Sequence, residues 1–200
     1  MNYSQNNEQE LIHKVFGDFV GRFLDIGACD GTWLSNTRDL VERGWSGVLV
    51  EASPMVFLAL QGLHGTNPKL DLVNAAVGLR SGLSTFWDSP TAQGYSTTEV
   101  GNRDKWHHLA GEWGKFYVPV VETSTILNYL PGPIDFLSID TEGTSADLFF
   151  GFPFFTVTPR MVCVEHDGRL DECVSFAKSV GYRELSRNPE NLLFIQVDLD

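Results

Sequence analysis

A short apolar run, Phe23-Leu24-Asp25-Ile26, breaks into a turn with glycine at both ends, Gly27 and Gly31, ahead of a helix-forming stretch. Strand, glycine turn and helix in that order form the opening unit of an α/β sheet, whose ligand crevice lies outside the strand's carboxyl end. Glycine lets the backbone turn tightly there and lie close against a ligand. The dinucleotide fingerprint needs G-x-G-x-x-G, and this turn lacks its middle and third glycines. Asp25 before the turn, with Gly27 and Gly31 four apart, suits a cofactor with no pyrophosphate and a cationic amino-acid end. A purely structural tight turn is the competing explanation.

The chain continues to alternate. Leu11, Ile12, Val15, Phe16 and Phe19 give residues 10–19 a helical period. Residues 32–43 read as a helix with Leu34, Leu40 and Val41 inward, stopped at Gly44. Residues 47–51 read as the second strand, and Ser53 caps a helix with Pro54 in its first turn. Further strands are expected at 70–77, 83–87, 118–121, 134–139 and 161–165, and helices at 125–130, from 143 to about 150, and at 170–180. Residues 182–186 and 192–197 close the chain as a hairpin-like pair. Alternating β and α with an antiparallel end predicts a three-layer α/β sandwich in one domain over residues 1–200. Residues 89–116 show no clean period and hold four glycines among Tyr95, Trp106 and Trp113. They read as a long excursion that covers an acceptor, its aromatic faces suited to a sugar or other small ring. A surface insertion with locally packed aromatics is the alternative.

Four further positions carry chemistry. Glu51 ends the second strand, where an acid can accept both hydroxyls of a ribose. Asn74-Ala75 end the third, where they can meet an adenine or merely lead into a turn. Asp140 and Glu142 leave a buried strand at the crevice, so a desolvated carboxylate there can take a hydroxyl proton, or one of the two can cap the next helix. His166, after the following strand, is a candidate acid/base residue or simply a polar strand end. No Cys/His cluster has zinc spacing, so no metal is expected. Trp33 and Trp45, and the run from Leu148 to Phe155, read as packing residues.

Composition narrows the partners. A net charge of −12 repels phosphate backbones, and Arg38, Arg43, Arg80, Arg103 and Lys105 form no basic run, so long nucleic acid is disfavoured. Three cysteines without paired spacing fit a reducing compartment. With a polar start lacking a signal-like apolar stretch and no window of 18 apolar residues, a cytoplasmic protein away from membranes is expected.

Taken in order, these motifs resemble the FkbM-type methyltransferases, a branch of the class I S-adenosylmethionine-dependent enzymes. The resemblance starts at Tyr3-Ser4-Gln5 and runs through residues 23–31, Leu34-Ser35-Asn36-Thr37, Gly44-Trp45-Ser46-Gly47 and 50–54. It resumes at 74–78 and 118–127, then ends with 139–143 and Val164-Glu165. It implies a Rossmann-like, mostly parallel seven-stranded sheet with one antiparallel strand near the C-terminal edge. It also implies S-adenosylmethionine as cofactor, held by Asp25, Gly27, Gly31 and Glu51 with Asn36, Asn74 and Ala75, and methyl transfer to a hydroxyl of a sugar or other small molecule. N-methylation of an amine or protein side chain, and a cofactor-binding module without transfer, are the rival functions. Two positions depart from the family's pattern: Ser138 stands where a lysine is frequent, and Ser145 where an acidic residue is.

Overall fold

The computed structural model of the chain describes residues 2–89, 96–110, 112–129 and 132–197, the side chains of 106, 107, 109 and 110 excepted. The elements run α1 (Glu8–Phe16), β1 (Arg22–Ile26), α2 (Arg38–Glu42), β2 (Ser46–Glu51), α3 (Pro54–His64), β3 (Leu70–Asn74), β4 (Ala76–Gly78), β5 (Gly82–Asp88) and α4 (Val100–Ala110). They continue with β6 (Gly114–Glu122), α5 (Thr123–Tyr129), β7 (Phe136–Ile139), α6 (Ser145–Gly151), β8 (Met161–Glu165), α7 (Leu170–Ser179), β9 (Tyr182–Arg187) and β10 (Asn191–Gln196).

Seven strands form one sheet in the order β3-β2-β1-β7-β8-β10-β9. Only β10 runs against its neighbours, one place in from the edge. This is the three-layer α/β sandwich that the alternation predicts. Successive residues of a strand point to opposite faces, so a strand covered on both sides reads as one apolar run. Leu24, Val48, Leu137 and Val162 meet Ile126, Phe149 and Cys173 from α5, α6 and α7. Phe23, Leu49, Phe136 and Met161 meet Ile12, Leu40 and Leu60 from α1, α2 and α3. Phe149 anchors the first layer, stacked on Phe194 at 5.5 Å and edge-on to Phe154 and Phe176. Trp45 is fully buried as expected, but Phe155, read as core, is 91% exposed. Among the described residues, no helix is long and apolar enough to cross a membrane.

Three sequence expectations change, each for a local reason. The helix expected over 32–43 shrinks to α2. Asp30 Oδ1 accepts from Thr32 N at 2.8 Å and Trp33 N at 2.7 Å, Leu34 takes φ +53°, and Ser35 Oγ accepts from Arg38 N at 3.0 Å. Such side-chain-to-backbone bonds compete with helix formation. Leu34 consequently faces outward. The strand expected over 70–77 breaks at Ala75, because Asn74 Nδ2 donates to Glu51 O at 2.8 Å and ends the ladder there. β4 departs into a separate three-stranded sheet, β4-β6-β5. Finally, the described part of the excursion carries α4 and the start of β6, which pairs with β5 from Gly82↔Val120 to Asp88↔Gly114.

Phe149→Ala should destabilise the protein by about 3–5 kcal/mol, the cost of an aromatic cavity in a packed core. Urea denaturation checks this, and a loss below about 1 kcal/mol would show that the site refills.

Candidate active site

The carboxyl ends of β1, β2 and β7, together with the β3–β4 joint, enclose a cleft of about 150 Å³. Gly27 is demanded here by space as well as by its φ of +88°. A Cβ at this position would lie 1.6 Å from Asp140 O. The tips of β1 and β7 are thus in backbone contact, tied by Asp140 N donating to Ile26 O at 2.9 Å. Gly31 has a different reason. A Cβ there would strike His64 and Leu60 of α3, and Gly31 does not line the cleft.

Glu51 lies in the cleft wall with its oxygens taking Cys29 N at 2.9 Å and Ser53 N at 2.6 Å. Burial pushes its carboxyl up to about 7. Asp25, also in the wall, accepts Thr37 Oγ1 at 2.5 Å, and burial raises it to about 6. Asn36 shares this corner, directing its amide nitrogen at Cys163 Sγ, 3.6 Å away. Its Oδ1 is buried without a donor, in a residue only 9% exposed. Ala75 lines the cleft, whereas Asn74 does not and instead pins β3 to β2.

Asp140 and Glu142 line the same cleft. Glu165, from the tip of β8, joins them: ligand oxygens of all three lie within 4.8 Å of one another. Burial comes first in raising each, and the charge of one neighbour adds to it, Glu142 on Asp140, Glu165 on Glu142 and Asp140 on Glu165, taking Asp140 to about 7, Glu142 to about 8 and Glu165 to about 9. Three carboxyls this close share protons near neutrality. Their oxygen donors are also of the kind that binds a hard divalent cation, and among the described residues no other such set occurs. Ser145 Oγ donates to Glu165 at 2.8 Å, while Asp167 accepts Gly143 N at 3.1 Å and Ala146 N at 2.8 Å, fixing the turn after Asp140.

The other anticipated residues fall elsewhere. His166 stands outside the cleft wall, with Nε2 on Pro189 O at 2.9 Å and Nδ1 accepting from Gly168 N at 3.0 Å. Both ring nitrogens are engaged there, and its neighbour Glu165 is the residue that stands beside Asp140 and Glu142. Tyr95 and the Trp106 side chain lie outside the described residues. Trp113 is half-buried and absent from the wall. Among the described residues, the excursion reaches the site through smaller groups. Ser96 and Thr98 line it, Thr97 Oγ1 donates to Glu142 O at 2.6 Å, and Asn102 Nδ2 donates to Glu142 Oε2 at 3.3 Å. The Ser96-Thr97-Thr98 run was the available signal, passed over beside three aromatics. Trp33, read as packing, is 52% exposed and stands in the wall, as does Gln5.

Residues 25–184 match the methyltransferase FkbM domain. The chain belongs to the FkbM methyltransferase family. The matched span contains Asp25, Glu51, Asp140 and Glu165 and leaves the first 24 residues outside. A crystal structure of methyltransferase FkbM from Methylobacillus flagellatus KT superposes with TM-score 0.53 at 13% identity, over 88% of this chain and 43% of that one. This FkbM chain therefore spans less than half the length of that relative. A Pyrococcus horikoshii protein described as a candidate RNA methyltransferase gives 0.52 at 12% identity, over 96% and 81% of the two chains. The METTL16 methyltransferase domain gives 0.52 at 11%, over 96% and 66%. At these identities the likeness establishes the fold, the Rossmann-like class I methyltransferase sheet. No curated protein matches the chain in sequence.

The buried carboxyls set a pH dependence. Asp25, Glu51, Asp140 and Glu142 keep their protons in the folded state to about 6, 7, 7 and 8, against ordinary values of 3.8 and 4.5. Between those limits the folded state binds more protons than the unfolded one, so stability falls as pH rises from about 4 to 8. The FkbM domain should therefore melt at a higher temperature at pH 5 than at pH 8, and Glu142→Gln should flatten the difference. A melting temperature that climbs from pH 5 to pH 8 contradicts this.

Proposed function

We propose that the chain is a single methyltransferase domain, cytoplasmic, that transfers a methyl group from S-adenosylmethionine to a hydroxyl of a sugar or another small molecule. One observation carries the reading: the Gly27 turn, Glu51 and the Asp140–Glu142 pair all open into one cleft. S-adenosylmethionine, when bound, supplies a methyl already activated on a sulfonium. The residues present fit such a group. Glu51 offers remaining lone pairs to ribose hydroxyls, Ala75 and Ala76 give a small apolar wall for a base, and the orphaned Asn36 Oδ1 offers an acceptor for an ammonium.

The chain's own contribution to the chemistry is alignment and a proton sink. Holding acceptor and donor in line can supply about 7–11 kcal/mol of barrier reduction. Asp140, raised to about 7, is poised to take the proton of an acceptor hydroxyl, an effect of roughly 10²–10⁴-fold. Burial and then the like charge of Glu142 hold it there, against a hydrogen bond from Glu165 that lowers it, and Glu142 is the substitute base. Ser96, Thr98 and Asn102 stand over the acceptor side. A net charge of −12 disfavours a long nucleic acid as acceptor.

A second reading has its own support. The described cleft wall holds Asp25, Glu51, Asp140 and Glu142 but no lysine, arginine or histidine, a setting that attracts a cationic amine. N-methylation follows if amines, and not sugars or other alcohols, release S-adenosylhomocysteine in a turnover assay. Binding of the cofactor with no release on either panel would leave only a binding module.

Asp140→Asn should keep cofactor affinity and lose turnover by about 10²-fold or more. Turnover within threefold of wild type removes Asp140 as the base. Glu51→Ala should weaken S-adenosylhomocysteine binding by about 1.5–3 kcal/mol, the worth of charge-assisted hydrogen bonds, as read by calorimetry. Unchanged affinity takes the ribose away from Glu51.

A further inference from the structure

The amino-acid end of the proposed cofactor carries a carboxylate as well as an ammonium. Among the described residues the cleft gives that carboxylate no cationic side chain, and four of the wall residues are themselves acidic. Its partners must then be neutral N–H or O–H donors. Among the lining side chains, N–H donors come from Gln5, Trp33 and Asn36. The amide nitrogen of Asn36 is directed at Cys163 Sγ. The amide of Gln5 has no partner among the described residues, so its donors are uncommitted.

Gln5 is also held in place by everything around it. The strap of residues 2–7 is clamped on one side of Gln5 by Tyr3, whose hydroxyl donates to Glu42 Oε1 at 2.8 Å and whose ring lies under Arg38. On the other side Asn6 Nδ2 donates to Glu190 Oε2 at 2.8 Å. Just beyond, the buried Glu8 accepts Asn6 N at 2.8 Å, Asn188 Nδ2 at 2.8 Å and Asn191 Nδ2 at 2.9 Å, which fastens the strap to the β9–β10 hairpin. Between two clamps, one exposed and unbonded amide stands in the cleft wall. Tyr3 grips α2, and Asn36 lies just before α2, so Gln5 and the orphaned Asn36 Oδ1 belong to the same end of the cleft, away from β3.

We propose that the strap recognises the methyl donor's amino-acid end, Gln5 donating from its side-chain amide to the carboxylate while Asn36 Oδ1 accepts from the ammonium. This rests on the cofactor reading above. It gives the strap, which precedes the span matching the family, a binding role that the matched residues 25–184 do not contain.

Calorimetry with two ligands tests it. S-adenosylhomocysteine has the amino-acid end; 5′-methylthioadenosine keeps the adenosine and sulfur and lacks it. Gln5→Ala should weaken S-adenosylhomocysteine about 10- to 100-fold, the scale of a hydrogen bond to a charged group, and leave 5′-methylthioadenosine unchanged. Gln5→Glu should weaken S-adenosylhomocysteine further, by setting like charges together, again sparing the shorter ligand. Trp33→Phe, which removes the indole N–H from the cleft wall, should have the smaller effect. Wild-type binding that persists in both Gln5 variants overturns the proposal alone. An equal loss for both ligands also overturns it, because the strap is then a structural prop. A wild-type protein that binds neither ligand overturns this proposal and the cofactor reading together.

Discussion

The tips of β1 and β7 meet through backbone alone, and the rest of the site inherits its geometry from that contact. With only 1.6 Å between a notional Gly27 Cβ and Asp140 O, no side chain can separate the two turns. The turn that carries Glu51's partner Cys29 and the turn that carries Asp140 and Glu142 are therefore one rigid corner. Parallel pairing of Asp25 with Leu49 and with Ser138 levels the three strand ends beneath it. A ligand reaching from Glu51 to Asp140 crosses a distance set by sheet register, the least adjustable dimension in the fold.

That corner gathers carboxyls where water is scarce. An isolated buried carboxylate is costly, and the usual remedies are pairing, hydrogen bonding or protonation. Here no cationic side chain lines the described cleft, so the other two remedies carry the burden. Glu51 takes the second, with backbone N–H groups on both oxygens. Asp25 does so in part through Thr37. The Asp140–Glu142–Glu165 group takes the third, each member raised by burial and by its neighbours. Protonation state at neutral pH thus becomes a property of the group. On the proposed reading, hydroxyl methylation asks the protein for a proton acceptor of adjustable strength, since the methyl donor arrives already activated.

The sheet was legible because its strands are short, apolar and bounded by glycine or proline, and because both of its faces are covered. β8 and the Ser53–Pro54 helix start lie where the residues place them. Less legible were segments whose conformation is set by side chains bonding to nearby backbone. Apolar spacing alone made residues 32–37 helical, while Asp30 and Ser35 turn them into a coil that buries Ser35, Asn36 and Thr37 beneath the site. Within the site, Asp25, Glu51, Asp140 and Glu142 could be named from strand ends. Glu165 could not be separated from His166 by sequence, because adjacent residues at a strand end point to opposite faces and only the register decides which one faces the crevice. Gln5 entered only as part of the resemblance and not as a site residue, because it approaches the cleft from a strap remote in sequence.

The segment after β5 shows how one stretch of chain can wall a site and tune it together. Asp88, at the end of β5, accepts from Ser53 Oγ and from Ser96 Oγ, each at 2.7 Å, joining the segment to the start of α3. Trp87 and Thr97 then exchange a pair of 2.9 Å backbone bonds, and the buried Thr97 reaches Glu142 O. α4 follows directly, bringing Asn102 to the Glu142 carboxyl and the charge of Lys105 near enough to oppose the rise in its pKa. Glu142 itself sits at φ +55°, a conformation that costs a non-glycine residue energy and persists where surrounding contacts fix it. α4 accordingly bears on Glu142 in two ways at once, through the Asn102 hydrogen bond and through the charge of Lys105. Among the described residues, Thr97 and Asn102 tie this segment to Glu142.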